Sequence, residues 1–303
     1  MRFLARAGGL HAEDIDHRIV ERSDPEYPAL LEHLPDPPGR LWVAGRDLTS
    51  LPPCVAVVGT RTPNHYGEEM ARALSADFTR AGCCVVSGMA RGIDAYAHEG
   101  ALVHGATVAV LPGGIDRCYP ASNRDLYEQI YEEGALVAEV PPGTPTHKRR
   151  FTHRNRIIAG LSLAVVVVQA GEPSGALATA NHALTLGRDV FAVPGDVRVD
   201  VSAGAHQLLR DGAAPCTCAA DVLERIAPEL ERAVAIRTFA DAPGAMPSEQ
   251  AAVLSLLGGG TMSLGSIIRA TGLGASAVAV AVGKLELAGW LARGPGALIH
   301  RVR

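Results

Sequence analysis

The densest chemistry in the chain lies in ten consecutive residues, His147-Lys148-Arg149-Arg150-Phe151-Thr152-His153-Arg154-Asn155-Arg156. Five are Lys or Arg, none is acidic, and Phe151 sits in the middle of a chain whose aromatic content is only 4%. A basic track with an interleaved ring is how single nucleic-acid strands are held: the cations take the phosphates and the ring stacks a base. The alternative is a solvated basic helix start with Phe151 tucked into a core. Positive charge at a helix N-terminus opposes the macrodipole, however, so these cations need another reason to be there.

A second set of small residues recurs along the chain. Each follows a short apolar run: Gly59-Thr60-Arg61-Thr62-Pro63-Asn64, Ser87-Gly88-Met89-Ala90-Arg91-Gly92, Pro112-Gly113-Gly114, then Gln169 with Gly171, Ser174 and Gly175, and Pro194-Gly195-Asp196. Glycine lets backbone N–H groups approach a ligand, and helix N-termini favour an anion. Any α/β fold needs some glycine in its turns. Five such turns on one edge, two of them carrying Arg61 and Arg91, point to an anion site.

The anion is not an ordinary dinucleotide, because the first turn is not Gly-x-Gly-x-x-Gly and no acid follows for a ribose. No P-loop signature is present either. Asp94 and His98, four apart, could be an acid/base or metal pair. The commoner arrangement is a capping Asp beside a hydrogen-bonded His. No third ligand stands at fixed spacing and no Ser-His-Asp arrangement is evident, so no catalytic residue, metal or cofactor is expected.

These turns need strands to carry them. Short apolar runs occur at 54–58, 83–86, 107–111, 135–138, 163–168 and 189–193, separated by helical spacing at 66–80, 92–104, 122–133 and 175–186. β-branched runs alternating with helices predict a parallel sheet covered on both faces. In such a sheet ligands bind beyond the C-terminal strand ends, where the glycine turns lie. Residues 1–50 read as irregular, an N-terminal extension packing on an α/β domain at 51–228. Residues 229–246 read as a linker, and 247–303 as three helices closed by a hairpin, the winged-helix variant of helix-turn-helix. The expected fold is therefore α/β: an extended, Rossmann-like, doubly wound and mostly parallel sheet, plus a small C-terminal winged-helix domain.

Composition narrows the class further. The chain has 303 residues, 48% hydrophobic and 20% charged, enough for one large and one small domain. A net charge of −4 argues against a protein that coats nucleic acid with its whole surface, but a local basic patch is compatible with it. The six cysteines lack zinc-knuckle spacing, and buried reduced thiols are expected. No apolar segment follows Met1-Arg2-Phe3-Leu4-Ala5-Arg6, and the run from Leu163 to Val168 is too short to span a bilayer. A cytoplasmic protein without a membrane partner is expected.

The ordered motifs resemble the DNA-processing protein A (DprA/Smf) family. Those that carry the likeness are Tyr27-Pro28 with Pro38, Val57-Val58-Gly59-Thr60-Arg61, Ser87-Gly88-Met89-Ala90-Arg91-Gly92-Ile93-Asp94 with Ala97-His98, and Pro112-Gly113-Gly114 with Tyr119-Pro120. Phe151-Thr152-His153-Arg154-Asn155-Arg156 with Ile157 to Ser162, Ser174 to Ala180, and Val193-Pro194-Gly195 complete the set, over about residues 24–226. The resemblance implies single-stranded DNA binding, a homodimer, and help in loading the RecA recombinase during natural transformation, without turnover. By position it implies that Gly59, Thr60 and Arg61 cradle a phosphate, that Lys148 is a phosphate lysine and that Phe151 is the stacking ring. With Asn64, Arg91, Arg149, Arg154 and Arg156 these form the candidate DNA-binding set.

Three departures from the family pattern stand out. Asn64 replaces the usual Ser or Thr, Gln169 stands where an acid is common, and the 26 residues before Tyr27 are expected to be too few for the full helical N-terminal domain of many members. The candidate recognition helix near 275–288 carries one lysine, Lys284, a poor set of major-groove readers. Arg293, His300, Arg301 and Arg303 put some charge on the wing and tail. An auxiliary or protein-contact role fits that composition better than duplex reading. The rival reading, a nucleotide hydrolase of the lysine-decarboxylase-like phosphoribohydrolase type, requires Gly-Thr and a glutamate after Pro-Gly-Gly. Here Ile115-Asp116-Arg117 follow Gly114.

Overall fold

The computed structural model describes residues 15–172, 174–226, 248–257, 261–287, 290–293 and 298–301. The chain divides into two compact units, Met1–Val234 and Ala235–Arg303. The expected linker at 229–246 lies outside the described residues.

Nine strands of the first unit form one sheet: β1 (Arg18–Glu21), β2 (Arg40–Gly45), β3 (Cys54–Val58), β4 (Cys84–Ser87), β5 (Thr107–Leu111), β6 (Ala135–Ala138), β7 (Ala164–Val167), β8 (Asp189–Ala192) and β9 (Ala214–Pro215). Their order is β1-β2-β6-β5-β4-β3-β7-β8-β9. All pairs from β6 to β9 are parallel, while β1–β2 and β2–β6 are antiparallel. All six apolar runs are strands, as their period required.

One expectation is corrected. The stretch read as an irregular extension at 1–50 contributes, within its described residues 15–50, two strands, β1 and β2, to the sheet itself. In β2 the side chains alternate as a strand buried on both faces must. Leu41 and Val43 enter one hydrophobic layer, and Trp42 and Ala44 the other. Between these two strands Tyr27 is buried, its hydroxyl donating to the Pro38 carbonyl at 2.8 Å.

The helices are α1 (His65–Arg80), α2 (Ile93–Leu102), α3 (Arg124–Glu133), α4 (Lys148–Leu161), α5 (Gly175–Thr185), α6 (Ala203–Arg210) and α7 (Ala219–Ile226). Side chains of α4, α5 and α6 (Ile157, Ile158, Ala180, Leu208) cover one face with Ala56, Val58, Val108 and Val137. Helices α1, α2 and α7 (Leu74, Phe78, Ala97, Val222) cover Val55, Val57, Val85 and Val166 on the other. Few aromatics are needed because Ala and Val dominate both layers.

In the second unit the order is α8 (Ser248–Leu256), β10 (Met262–Ser263), α9 (Leu264–Thr271), α10 (Ala275–Leu287), β11 (Leu291–Arg293) and β12 (Leu298–Arg301), and the three strands form one sheet. Val253, Ile267, Val278, Val282, Leu285 and Ile299 form its core. This is a winged helix. Lys284 is the one Lys or Arg of α10 and is exposed. Among the described residues no single helix is long and apolar enough to cross a membrane.

Candidate nucleic-acid interface

Sheet order dictates where a ligand goes. From β3 the chain crosses through α1 to β4 on one side, while β7 pairs with β3 on the other. The gap between the ends of β3 and β7 is therefore a topological switch point. A cleft of ≈ 680 Å³ lies there. Its walls are the β3 turn (Gly59, Thr60, Arg61), the β7 turn and the start of α5 (Gly171, Ser174, Gly175, Ala176), and one side of α4 (Lys148, Phe151, Thr152, Asn155).

Each wall is held by local physics. The β3 turn is tied to the β7 turn by Thr60 N–H donating to the Gln169 carbonyl at 2.7 Å, and to α2 by Ile93 N–H donating to the Thr60 carbonyl at 3.1 Å. A Cβ at Gly59 would lie 2.8 Å from that Gln169 carbonyl and 2.5 Å from Ile93 Cγ1, so only glycine allows the close approach. Gly92 has φ +78° at the cap of α2, and its missing Cβ leaves room for the Thr60 carbonyl.

On α4, Lys148 is exposed and Phe151 half-buried. The Arg61 guanidinium lies over the Phe151 ring at 4.8 Å from its centroid, and Tyr119 meets the ring edge-on at 5.4 Å and 65°. A planar cation at stacking distance marks the ring as a platform for flat groups. The helix begins at His147 without a side-chain cap and with no acid in its first turn. Its first N–H groups and three leading cations favour an anion from outside the helix.

Four expected contacts, Asn64, Arg91, Arg149 and Arg156, lie outside this cleft, and a fifth, Arg154, is buried in its floor. Arg154 is 5% exposed, donating to the carbonyls of Gly88 (2.7 Å) and Val110, and its charge faces Asp94. Burial pulls this guanidinium down to about 10, with Asp94 opposing the shift. Arg156 is 7% exposed and ion-paired to Glu139, so neither arginine projects as a solvated contact. Helical geometry explains both: at about 100° per residue, positions 154 and 156 fall on opposite flanks of the side that carries 148, 151 and 155.

Asn64 and Arg91 do not line the cleft. Asn64 caps α1, its Oδ1 accepting from Gly67 N–H at 3.0 Å and from Gln169 Nε2 at 2.8 Å, while Asn64 N–H donates to Gln169 Oε1 at 3.3 Å. The two departures from the family pattern thus bond each other. Arg91 is exposed just before the start of α2, and Arg149 lines a neighbouring cavity.

Conversely, Tyr119, Ser174, Gly175 and Thr179 line the cleft without having been read as contacts. The apolar run before Ser174 signalled a turn, but nothing local to Tyr119 places it beside Phe151.

Asp94 and His98 do not form a site. Asp94 is buried, accepting from Gly88 N–H (3.1 Å) and Ala90 N–H (3.4 Å), and burial raises its pKa against the pull of Arg154. His98 Nδ1 pairs with Thr107 Oγ1 at 2.7 Å, and Thr107 itself donates to the Val85 carbonyl, so the imidazole carries its proton on Nδ1. No metal-binding cluster exists among the described residues.

Burial, with Arg154 adding to it, lowers the His98 pKa from 6.5 to about 3. The neutral form is thus built into the fold, while the unfolded chain takes up a proton below its ordinary value. Stability from this residue is complete above about pH 6.5 and falls by about 1.4 kcal/mol per pH unit below it. Urea unfolding at neutral and acid pH checks this. The slope should shrink in His98→Leu, and an unchanged slope would remove His98 as its source.

The sequence and the fold both match known proteins. A family model described as DNA recombination-mediator protein A matches residues 18–227, and one described as DprA winged helix domain matches 237–297. Protein Smf of Synechocystis sp. is 43% identical over 201 residues, 65% of this chain and 50% of that protein. Protein Smf of Escherichia coli K12 is 35% identical over 302 residues, 95% of this chain and 78% of the relative. The chain thus spans only half the length of the Synechocystis protein.

The X-ray structure of DNA processing protein A from Streptococcus pneumoniae superposes with a TM-score of 0.67 at 37% identity, covering 70% of this chain and 75% of that one. DNA processing protein A from Helicobacter pylori, whose structure addresses its single-stranded DNA binding mode, gives 0.66 at 27% identity, covering 73% and 99%. With its α/β unit and its winged helix each matched, the chain belongs to the DNA recombination-mediator protein A family.

Proposed function

We propose that the α/β unit binds single-stranded DNA in the β3–β7 cleft, with a base on Phe151 and phosphates at Gly59, Thr60, Arg61 and Lys148. The observation that carries this reading is the exposed Lys148 beside a Phe151 ring stacked under Arg61, at the switch point of the sheet. A flat base and a phosphate one step away are the two groups that this pairing matches.

The reading extends to a mediator without turnover. The protein acts as a homodimer that protects the incoming strand and helps load RecA during transformation, as family membership and the single-stranded DNA bound by the Helicobacter pylori protein support. Among the described residues the only carboxylate lining the cleft is Asp94, which is already engaged by two backbone N–H groups. The winged helix, with Lys284 as its one basic recognition-helix residue, serves as an auxiliary or protein contact.

The test is fluorescence anisotropy of a labelled single-stranded oligonucleotide, beside the same sequence as duplex and a mononucleotide competitor. The single strand should bind in preference to the duplex and resist displacement by mononucleotide. Affinity should fall with salt by a log–log slope of about −0.7 per phosphate held. Displacement by mononucleotide would instead indicate the phosphoribohydrolase-type reading, and a flat salt response would remove the basic residues from the interface.

A further inference from the structure

A second cavity, of ≈ 690 Å³, opens on another side of α4. Arg149, Arg150, His153 and Arg156 of that helix line it, with His147 at the helix start and His182 from α5. Among the described residues no carboxylate lines it. Among the described residues the nearest acids are Glu139, ion-paired to Arg156 and 3.4 Å from His153 Nε2, and the exposed Asp36, 3.8 Å from Arg156.

Arg156 gives this cavity its character. It is 7% exposed, and its Nε and Nη1 have no hydrogen-bond partner, so two of the three guanidinium nitrogens are buried and unpaired. A buried cation with unfilled donors is costly unless an anion compensates it. Burial, and after it the charges of Arg156 and His153, hold His182 below the ordinary histidine range. Arginine forks suit phosphate oxygens, and no ring other than imidazole is offered for a base.

The two cavities adjoin. His147 and Thr152 line both, so a chain leaving the Phe151 cleft around the start of α4 enters the second cavity directly. We propose that this cavity is a second phosphodiester site, taking the continuing backbone of the strand whose base rests on Phe151. The proposal rests on the single-strand reading above. It assigns Arg149, Arg150 and His153 to a separate site reached only by longer strands.

Anisotropy of the full chain with oligothymidylates of about 4 and about 16 nucleotides separates the sites. In Arg149→Gln/Arg150→Gln the longer strand should bind about 10-fold more weakly, with its salt slope reduced by about 0.7 for each phosphate lost. The short strand should change less than about 2-fold, whereas Lys148→Ala weakens both. Arg149→Gln alone, at an exposed position, repeats the test in smaller measure if the double variant fails to fold.

Equal losses for both lengths would merge the two sites and overturn the proposal, as would full retention of long-strand affinity. Wild-type protein that binds neither length overturns the underlying single-strand reading as well. Inorganic phosphate is the control for the source of the anion. If it shifts the His153 imidazole NMR signal and the longer strand does not displace it, the cavity serves a free anion and the continuous track is wrong.

Discussion

Arg154→Ala is expected to cost the α/β unit about 3–5 kcal/mol of stability, far more than the loss of a surface phosphate contact. Arg154 lies under the cleft, and its Nη1 donates to the carbonyls of Gly88 and Val110, joining the turn after β4 to the end of β5. Its charge is the main attraction holding the buried Asp94 carboxylate against desolvation. Removing the guanidinium strands two carbonyls and leaves Asp94 uncompensated, which is why truncating one partner costs more than the pair contributes.

Space is also committed there. A Cβ at Gly88 would lie 2.5 Å from Arg154 Nη2, so backbone and guanidinium are packed without slack. Arg154→Lys keeps the charge but loses the fork, and should fall between wild type and alanine. Denaturant unfolding measures all three proteins. A loss under about 1 kcal/mol combined with weakened strand binding would return Arg154 to the set of direct contacts.

Phe151→Ala should leave the fold intact and weaken single-strand binding by about 1–3 kcal/mol, or about 5- to 150-fold. The ring is half-buried, and its neighbours are Arg61 above and Tyr119 at its edge, side chains at the mouth rather than in the core. What is lost is a stacking surface, not a charge. The salt slope of Phe151→Ala should therefore match wild type, while Lys148→Ala should lower it by about 0.7. Phe151→Tyr should retain most of the affinity. Equal slopes with unchanged affinity in Phe151→Ala would take the base off this ring. The comparison separates stacking from charge neutralisation, which a single affinity cannot do.

Burial in the cleft also divides the cations of the 147–156 run by role. Lys148 is exposed at the cleft, Arg149 and Arg150 line the second cavity, and Arg154 and Arg156 are buried. A charge-reversal scan of this segment should thus give three outcomes rather than one graded loss: binding at every length, binding of long strands alone, or stability.

Much of this was written locally. The six apolar runs between helical stretches could form little but a parallel sheet, since continuous β-branched segments need cover on both faces. The glycine turns that follow them could only gather on one edge. The chemistry of the basic run, cations around a lone aromatic, was equally explicit, because residue type needs no partner to be read. Strands β1 and β2 were not legible: β1 is four residues long, Pro and Asp signals flank both, and β2 exists by pairing with β6, some ninety residues onward. Nor could the run from 147 to 156 be sorted by eye. It reads as a linear track, but each residue of a helix turns by about 100°. Five neighbouring cations are thereby distributed between the cleft, a second cavity and the interior, and only packing against the sheet decides which goes where.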